Sequence, residues 1–451
     1  MGLTLGIPKW EAIGVALFLT AVYVSIGGMW SVLVTDVLQF VVKMSMTIVL
    51  AVAAVAAVGG IAVLRTKIGA LDAAAHHSGA GSLLAFVPPL SDAGWMPLET
   101  FLVFVAVSWW ASSYPGAEPG GGGYIAQRIF AAKDEKNSVL ATLFFNVAHY
   151  ALRPWPWILV ALCALVLYPA GVRNAAGALD PELLYVQTMI DHLPIALRGL
   201  MMAGFLAAYM STIGTHLNLG ASYLTNDLYR RFIRPGASEP HYVLVSRLAT
   251  LLAMLLAALV TNVMDSVSGA WVYLITFTAG VGLVMILRWY WWRVNAWSEI
   301  SALVSSGVIA TALKLADAFP GTNQVAATLL VTVAGTTLVW VAVTMLTAPE
   351  QEATLVAFYK RVRPARAGWA PIARAVPSRE HDDLGVALRD WVAGCALVYS
   401  ALFGIGELCL GETAIGIALL ALAGLCIAII LRDLNQRAPV VAVAQLAPET
   451  S

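Results

Sequence analysis

Long apolar stretches fill the chain, and short polar segments separate them. A helix needs about 20 apolar residues to cross a hydrocarbon core of about 30 Å, and about eleven stretches reach that length. Three of these stretches exceed one plain crossing, so they must tilt, bend or break. We expect spans at residues 10 to 27, 31 to 61, 98 to 131, 139 to 169, 197 to 226, 242 to 263, 268 to 290, 299 to 318, 324 to 347, 389 to 411 and 413 to 432.

The composition agrees with this pattern. Hydrophobic residues make up 60% of the chain and charged residues 12%, whereas about a quarter of the residues of soluble domains are charged. Such a chain cannot cover its surface with groups that water accepts, so it is predicted to be an all-α polytopic membrane protein. The zero net charge gives no global field that would recruit nucleic acid. No soluble catalytic pattern or transition-metal spacing occurs among its four cysteines and seven histidines, so we do not expect an enzyme.

The placement of lysine and arginine predicts the orientation of the spans, because short cytoplasmic loops are enriched in these residues. We expect a cytoplasmic (inner) membrane, an outer N-terminus and a cytoplasmic C-terminus. The polar loop at 348 to 388 is expected to be a flexible cytoplasmic connection, and Asp180 with Pro181 predicts the start of a short outer helix. The cationic loops contain Arg128, Lys133 and Lys136; Arg230, Arg231 and Arg234; Arg288 and Arg293; and Lys360, Arg361, Arg363, Arg366, Arg374 and Arg379.

Two groups of oxygen-bearing side chains indicate an ion site. Asp36 follows a predicted turn at Gly27 and Gly28 and lies inside a span, where a carboxylate normally faces an aqueous cavity or pairs with an ion. Ser211, Thr212 and Thr215 fall within little more than one helical turn. The alternatives are an interfacial carboxylate, and hydroxyls that bond their own backbone or hold helices together.

The third span contains its own interruption, in the segment from Trp109 to Arg128. Its prolines and glycines cannot propagate a regular helix, and irregular backbone at membrane depth is tolerated only where it is buried or lines a cavity. Broken helices of this kind indicate a transporter's substrate site, although a kink that binds no ligand is the alternative. The side chains predicted to bind the solute are those of Trp109, Trp110, Tyr114, Glu118, Tyr124 and Gln127.

Four segments of the chain resemble the sodium:solute symporters, the family that contains sodium-coupled sugar, proline and sialic acid carriers. They are GGMWSVLVTDVLQ from Gly27, YIAQRIFAAKDEKNS from Tyr124, MSTIGTHLNLGASYLTNDLYRRF from Met210 and RWYWWRVNAWSE from Arg288. The resemblance implies a leucine-transporter-like bundle with inverted repeats. It also implies a sodium site made by the carbonyl of Ala208 and the hydroxyls of Ser211 and Thr212, with Asp36 close by. Thr215 would serve a second sodium ion, but Gly214 stands where such members often supply another hydroxyl.

The family pattern begins unusually early in this chain. About five helices precede the Gly-Gly and Thr-Asp motif in the family, whereas here that motif appears at Gly27. We therefore expect residues 1 to 64 to form the end of repeat one, 98 to 296 repeat two, and 299 to 433 additional helices. Together residues 1 to 433 would be one transmembrane domain, with a cytoplasmic tail at 434 to 451.

These features predict sodium-coupled symport of a small polar solute by alternating access, with Na⁺ as the coupling ion. A sugar or sugar acid is slightly favoured by the aromatic and hydrogen-bonding residues of the third span. The alternatives are an amino acid or carboxylate symporter, a nonfunctional or partner-dependent fragment of such a carrier, and a membrane sensor module. The expected partners are the solute, sodium and the lipid bilayer, with no nucleic acid and no obligate protein partner.

Overall fold

The structure is a computed structural model that describes most of the chain, and all of its regular elements in that part are helices. The described residues are 6–74, 83–88, 96–114, 117–119, 122–130, 132–174, 177–262, 266–321, 324–376 and 384–436. The helices are α1 (Lys9–Val58), α2 (Ile61–Ala74), α3 (Leu98–Ala111), α4 (Gly123–Phe130), α5 (Glu135–Leu167), α6 (Leu184–His192), α7 (Ile195–Ile233), α8 (Glu239–Asn262), α9 (Val267–Phe277), α10 (Val281–Tyr290), α11 (Ala296–Leu315), α12 (Gln324–Leu346), α13 (Glu352–Val362), α14 (Ala370–Ala375), α15 (Leu384–Leu410) and α16 (Thr413–Gln436).

The predicted spans reappear as apolar helices, with two differences at the start of the chain. Among the described residues, eight helices are long and apolar enough to cross a membrane, and nine qualify when α9 and α10 count as one bent span. The expected number was about eleven. The third span is missing from the count because it is broken into α3 and α4, and the first two predicted spans belong to one helix.

The predicted turn at Gly27 and Gly28 is wrong, because α1 runs without interruption from Lys9 to Val58. Glycine costs about 1 kcal/mol relative to alanine in a helix but keeps its backbone hydrogen bonds, so two glycines do not by themselves end a helix. The chain turns instead at Gly59 and Gly60, whose φ angles are 102° and 99°. Their amides donate to the carbonyls of Ala56 and Val55 at 3.1 and 2.9 Å.

The chain divides into two compact units, each with its own core. The first contains Met1–Arg128 and Pro156–Glu380. In it, Met46 and Leu50 of α1 pack with Met189 of α6 and Met201 of α7. The second unit contains Ile129–Trp155 and His381–Ser451, and its core joins residues of α5, α15 and α16 around Leu397. The single-domain organisation stays a prediction.

The polar loop predicted to be flexible is folded over residues 352–376. It forms α13, a 3-10 turn at Arg366–Trp369 and α14. Trp369, which is only 2% exposed, donates from its indole nitrogen to the carbonyl of Trp289 at the end of α10, at 2.9 Å. The prediction failed because the apolar residues of this segment are spaced to bury one face, as Leu355 and Ile372 do. Residues 377–383 lie outside the described part.

Candidate functional site

Three of the five residues predicted to bind sodium share one face of α7. Ala208, Ser211 and Thr212 stand at positions i, i+3 and i+4, which are neighbours on a helix surface. Ser211 is half-buried and Thr212 is exposed. The structure therefore brings these three residues together on α7, with the Thr212 side chain exposed.

Thr215 and Asp36, the remaining predicted sodium residues, differ in what the structure shows of them. Thr215 is 7% exposed and its hydroxyl donates to the carbonyl of Ser211, one turn earlier, at 3.0 Å. This backbone bond is common for threonine in membrane helices, and it leaves the oxygen free to coordinate a cation through its lone pairs. Asp36 belongs to α1, but its side chain lies outside the described part of the structure. Its role stays a prediction.

The predicted break in the third span is confirmed. Helix α3 contains a π-helical turn at Phe104–Ser108 and ends at Ala111, and the backbone of Ser112 is extended, with φ −84° and ψ 142°. Ala117 then donates its amide to the carbonyl of Tyr114 at 2.9 Å. The helix resumes only at Gly123, as α4. Residues 115, 116, 120 and 121 lie outside the described part.

The side chains predicted to bind the solute occupy different surroundings. Tyr114 meets Trp271 of α9 edge to face, with ring centroids 4.9 Å apart. Glu118 is half-buried, and a Cβ atom added to Gly122 would collide with its side chain. Trp110 packs on the apolar cluster around Ala111, and its indole nitrogen donates to Ala106 O at 2.7 Å.

These contacts place Tyr114 and Glu118 at the break, whereas Trp110 packs at the end of α3. The solute-binding roles of all three residues stay predictions. Trp109 is exposed. The side chains of Tyr124 and Gln127 lie outside the described part, although both residues belong to α4.

Helix α7 reaches the break through Tyr223, a residue that the sequence pattern did not single out. A Cβ atom added to Gly123, the first residue of α4, would collide with the Tyr223 hydroxyl. Only glycine therefore allows this tyrosine to approach the start of α4. The sequence feature that could have drawn attention to Tyr223 is its place on α7. It lies three turns beyond Thr212 on the same helix.

The seventh span contains a second break, which the sequence pattern did not predict. Helices α9 and α10 are bent by 43° relative to each other, across the three residues from Thr278 to Gly280. The apolar stretch from 268 to 290 has the length of one plain crossing, so its length does not predict a break. The signal was the mixture of two threonines, Thr276 and Thr278, with two glycines, Gly280 and Gly282, in the middle of that stretch.

Comparison with known proteins identifies what the chain is similar to. It is 27% identical to the sodium/glucose cotransporter of Vibrio parahaemolyticus over 351 residues, which covers 73% of this chain and 61% of that protein. It is 28% identical to the pig (Sus scrofa) sodium/myo-inositol cotransporter 2, covering 64% and 45%. It is 26% identical to the osmoregulated proline transporter of Bacillus subtilis, covering 64% and 54%. The chain thus spans about half the length of these relatives.

A solved structure of a Na⁺-coupled sialic acid symporter, substrate-bound and outward-open, has the same fold. Its TM-score is 0.54 at 18% identity, and the match covers 77% of this chain and 69% of that one. The family model described as the sodium:solute symporter family matches residues 1–306. Because that match covers well over half of the 451 residues, this multi-pass membrane protein belongs to the sodium:solute symporter family.

Proposed function

We propose that the protein moves a small polar solute across a cytoplasmic membrane together with sodium, by alternating access. One observation carries the proposal: α7 bears the hydroxyl groups of Ser211 and Thr212 and also contacts the broken third span through Tyr223. An ion held on α7 and a solute held at the break would thus contact one rigid element. That arrangement is what coupling requires, since each ligand must favour the same conformation.

The packing of α1 on α7 supports a role for Asp36 beside the sodium ion. A Cβ atom added to Gly204 of α7 would lie 3.7 Å from the Cα atom of Lys43 in α1. The predicted topology runs these two spans in opposite directions. Residue 36 lies seven residues before Lys43 in α1, and Ser211 lies seven residues after Gly204 in α7. In antiparallel helices both steps run the same way along the axis for about 10 Å, so the backbone of residue 36 is level with Ser211. A carboxylate at that level would supply the negative charge that the neutral hydroxyls lack.

The membrane potential provides the driving force. One sodium ion moving inward gains about 2.3 kcal/mol per 100 mV. The predicted orientation, with a cytoplasmic C-terminus, places the cationic loops on the inner side. The outer N-terminus predicted with it depended on the turn at Gly27 and Gly28, which α1 does not make. Arg230 and Arg231 at the end of α7 belong to one of these cationic loops. The macrodipole of a helix also favours cations at this end, its C-terminus.

A sugar or sugar acid is the solute that we favour. Tyr114 and Trp271 offer aromatic faces, and Glu118 offers hydrogen-bond acceptors at the same break. The similarity to glucose, myo-inositol and sialic acid carriers supports this class. The similarity to a proline transporter favours the second candidate, an amino acid.

The test is uptake in proteoliposomes that contain the chain, with an imposed sodium gradient. Labelled glucose, myo-inositol, sialic acid and proline form the panel. Ser211→Ala and Thr212→Ala are expected to raise the sodium concentration for half-maximal uptake at least about tenfold, as loss of an ion ligand does. Unchanged sodium dependence in both variants would remove the ion assignment.

Thr215 has a matched control in α8. Thr250 is also 7% exposed, and its hydroxyl donates to the carbonyl one turn earlier, Ser246 O, at 2.9 Å. Thr215→Ala and Thr250→Ala therefore remove the same backbone bond. If Thr215 serves a second ion, only Thr215→Ala changes the sodium dependence of uptake. Equal effects of the two substitutions would leave Thr215 with a structural role alone.

A further inference from the structure

The bend of the seventh span leaves the carbonyl of Ile275 without its helical donor. In an unbroken helix the amide of Ala279 would donate to that oxygen, but here it donates to Thr276 O at 3.2 Å. The hydroxyl of Ser112 takes its place, with Oγ 2.9 Å from Ile275 O. Ser112 is 1% exposed and is the first residue after α3. The break in the third span therefore supplies the donor that the bend in the seventh span lacks.

The carbonyl of Phe277, two residues later, also lacks its helical donor, and a residue of a different helix supplies one. The amide of Val281 donates to Thr278 O at 3.1 Å, so the carbonyl of Phe277 also loses its helical donor. Ser306 of α11 donates to Phe277 O at 2.7 Å and accepts from the amide of Gly280 at 3.1 Å. Ser306 is 0% exposed. Two buried serines thus stabilise one bend, and Ser112 is the one of the two that belongs to the third span.

Further contacts extend the connection on both sides of Ser112. The amide of Ser113 donates to Thr278 Oγ1, and the Ser113 hydroxyl lies against Met285 Sδ, each at 3.3 Å. A Cβ atom added to Gly282 would lie 2.7 Å from the carbonyl oxygen of Ala111. The end of α3 therefore rests directly on the backbone of α10, and Ser112 and Ser113 continue the contact with the seventh span beyond the helix end.

We propose that Ser112 is a positioning residue for the solute site. It fixes the point at which the third span stops being helical, and Tyr114 and Glu118 follow it within six residues. Holding Ser112 on Ile275 O sets the direction of the chain towards both side chains. This inference rests on the proposed function, since it assigns Ser112 to the solute that the break would bind. Ser112 itself need not touch that solute.

The transport test compares two substitutions that make the same chemical change at the same bend. Ser112→Ala and Ser306→Ala each remove one buried donor from the bend. In proteoliposomes with the full chain, the member of the panel of glucose, myo-inositol, sialic acid and proline that is accumulated serves as the probe. We expect Ser112→Ala to raise its KM about tenfold, or about 1.4 kcal/mol, because a lost buried hydrogen bond costs free energy of this order and this one holds the chain that carries Tyr114 and Glu118. Ser306→Ala should change KM less than about twofold, because among the described residues Ser306 bonds only the seventh span. Equal changes in KM overturn the proposal.

Ser112→Cys tests the same bond with little change of shape. A thiol is a weaker donor than a hydroxyl, so this variant is expected to have a KM between those of the wild-type protein and Ser112→Ala. It also replaces Ser112→Ala if that variant fails to fold. A KM for Ser112→Cys above that of Ser112→Ala contradicts a role for the hydrogen bond.

Hydrogen–deuterium exchange tests the positioning without any solute. Ser112→Ala is expected to speed amide exchange in peptides from both breaks, those covering 109–114 and 274–281. Ser306→Ala is expected to speed exchange in the second peptide only. If the wild-type chain accumulates no member of the panel, the proposed function fails and exchange alone decides the positioning. Unchanged exchange at 109–114 in Ser112→Ala overturns it.

Discussion

Substitution of Gly282 by alanine tests the contact between the two broken spans most directly. The added Cβ atom would lie 2.7 Å from the carbonyl oxygen of Ala111 and 2.8 Å from its carbonyl carbon, and would collide with the carbonyl oxygen of Trp110. All of these are backbone atoms, so no side chain can rotate away. Gly282 lies in α10 and is buried, so the local clash must be absorbed by moving one helix against the other.

The expected magnitude follows from two opposing contributions. Alanine stabilises a helix interior by about 1 kcal/mol relative to glycine, and overpacking a buried site costs about 1–3 kcal/mol. Because backbone atoms cannot yield as a flexible side chain does, we take the upper end of that range. Gly282→Ala should therefore lower the free energy of unfolding by about 2 kcal/mol.

The matched control is Gly199→Ala in α7. A Cβ atom added at Gly199 meets no atom within 4 Å, so only the helix preference remains and a gain of up to about 1 kcal/mol is expected. Thermal unfolding of the purified protein in detergent, followed by the fluorescence of its 15 tryptophans, measures both variants. Gly282→Ala should melt below the wild-type protein and Gly199→Ala at or above it. A Gly282→Ala variant as stable as Gly199→Ala would refute the close approach of α3 to α10.

Two further predictions concern charged groups at helix ends. Asp134 caps α5 by accepting from the amide of Asn137 at 2.7 Å. This bond, with the Asn137 side chain, holds the pKa of Asp134 below its ordinary value of 3.8, so the stabilising effect of the cap is present above that value and is lost as the pH falls through the lowered pKa. The difference in melting temperature between the wild-type protein and Asp134→Ala should therefore close under acidic conditions. Glu182 accepts from the amides of Val267 and Ser268 at 3.0 and 3.2 Å, so Glu182→Ala should destabilise the start of α9 by about 0.3–1 kcal/mol and speed amide exchange there.

The break in the third span was predictable because proline and glycine act locally. Pro115 and Pro119 cannot join a helical ladder whatever surrounds them, so the interruption between Trp109 and Arg128 could be read from the residues alone. The turn at Gly27 and Gly28 was predicted by the same reasoning and failed. Glycine permits a turn without requiring one, and the chain turns where two glycines adopt positive φ, at Gly59 and Gly60.

The bend in the seventh span was hidden because its cause is a tertiary contact. Thr278 and Gly280 fit an ordinary apolar helix, and nothing in their sequence shows that Ser112 lies beside Ile275. These two residues are 163 positions apart, so no local pattern connects them. The folded segment at 352–376 was missed for a similar reason, because α13 and α14 bury their apolar residues against each other and against Trp292, just beyond the end of α10.

The two broken spans should therefore be treated as one structure. Lipid offers no donor for a free carbonyl, so irregular backbone at membrane depth survives only where protein or a water-filled cavity satisfies it. The break in the third span frees the hydroxyl of Ser112 to donate, and the bend in the seventh span leaves the carbonyl of Ile275 without its helical donor. Straightening either span would leave the other with an unsatisfied buried group. A movement of one break must consequently carry the other with it, or exchange this hydrogen bond for another.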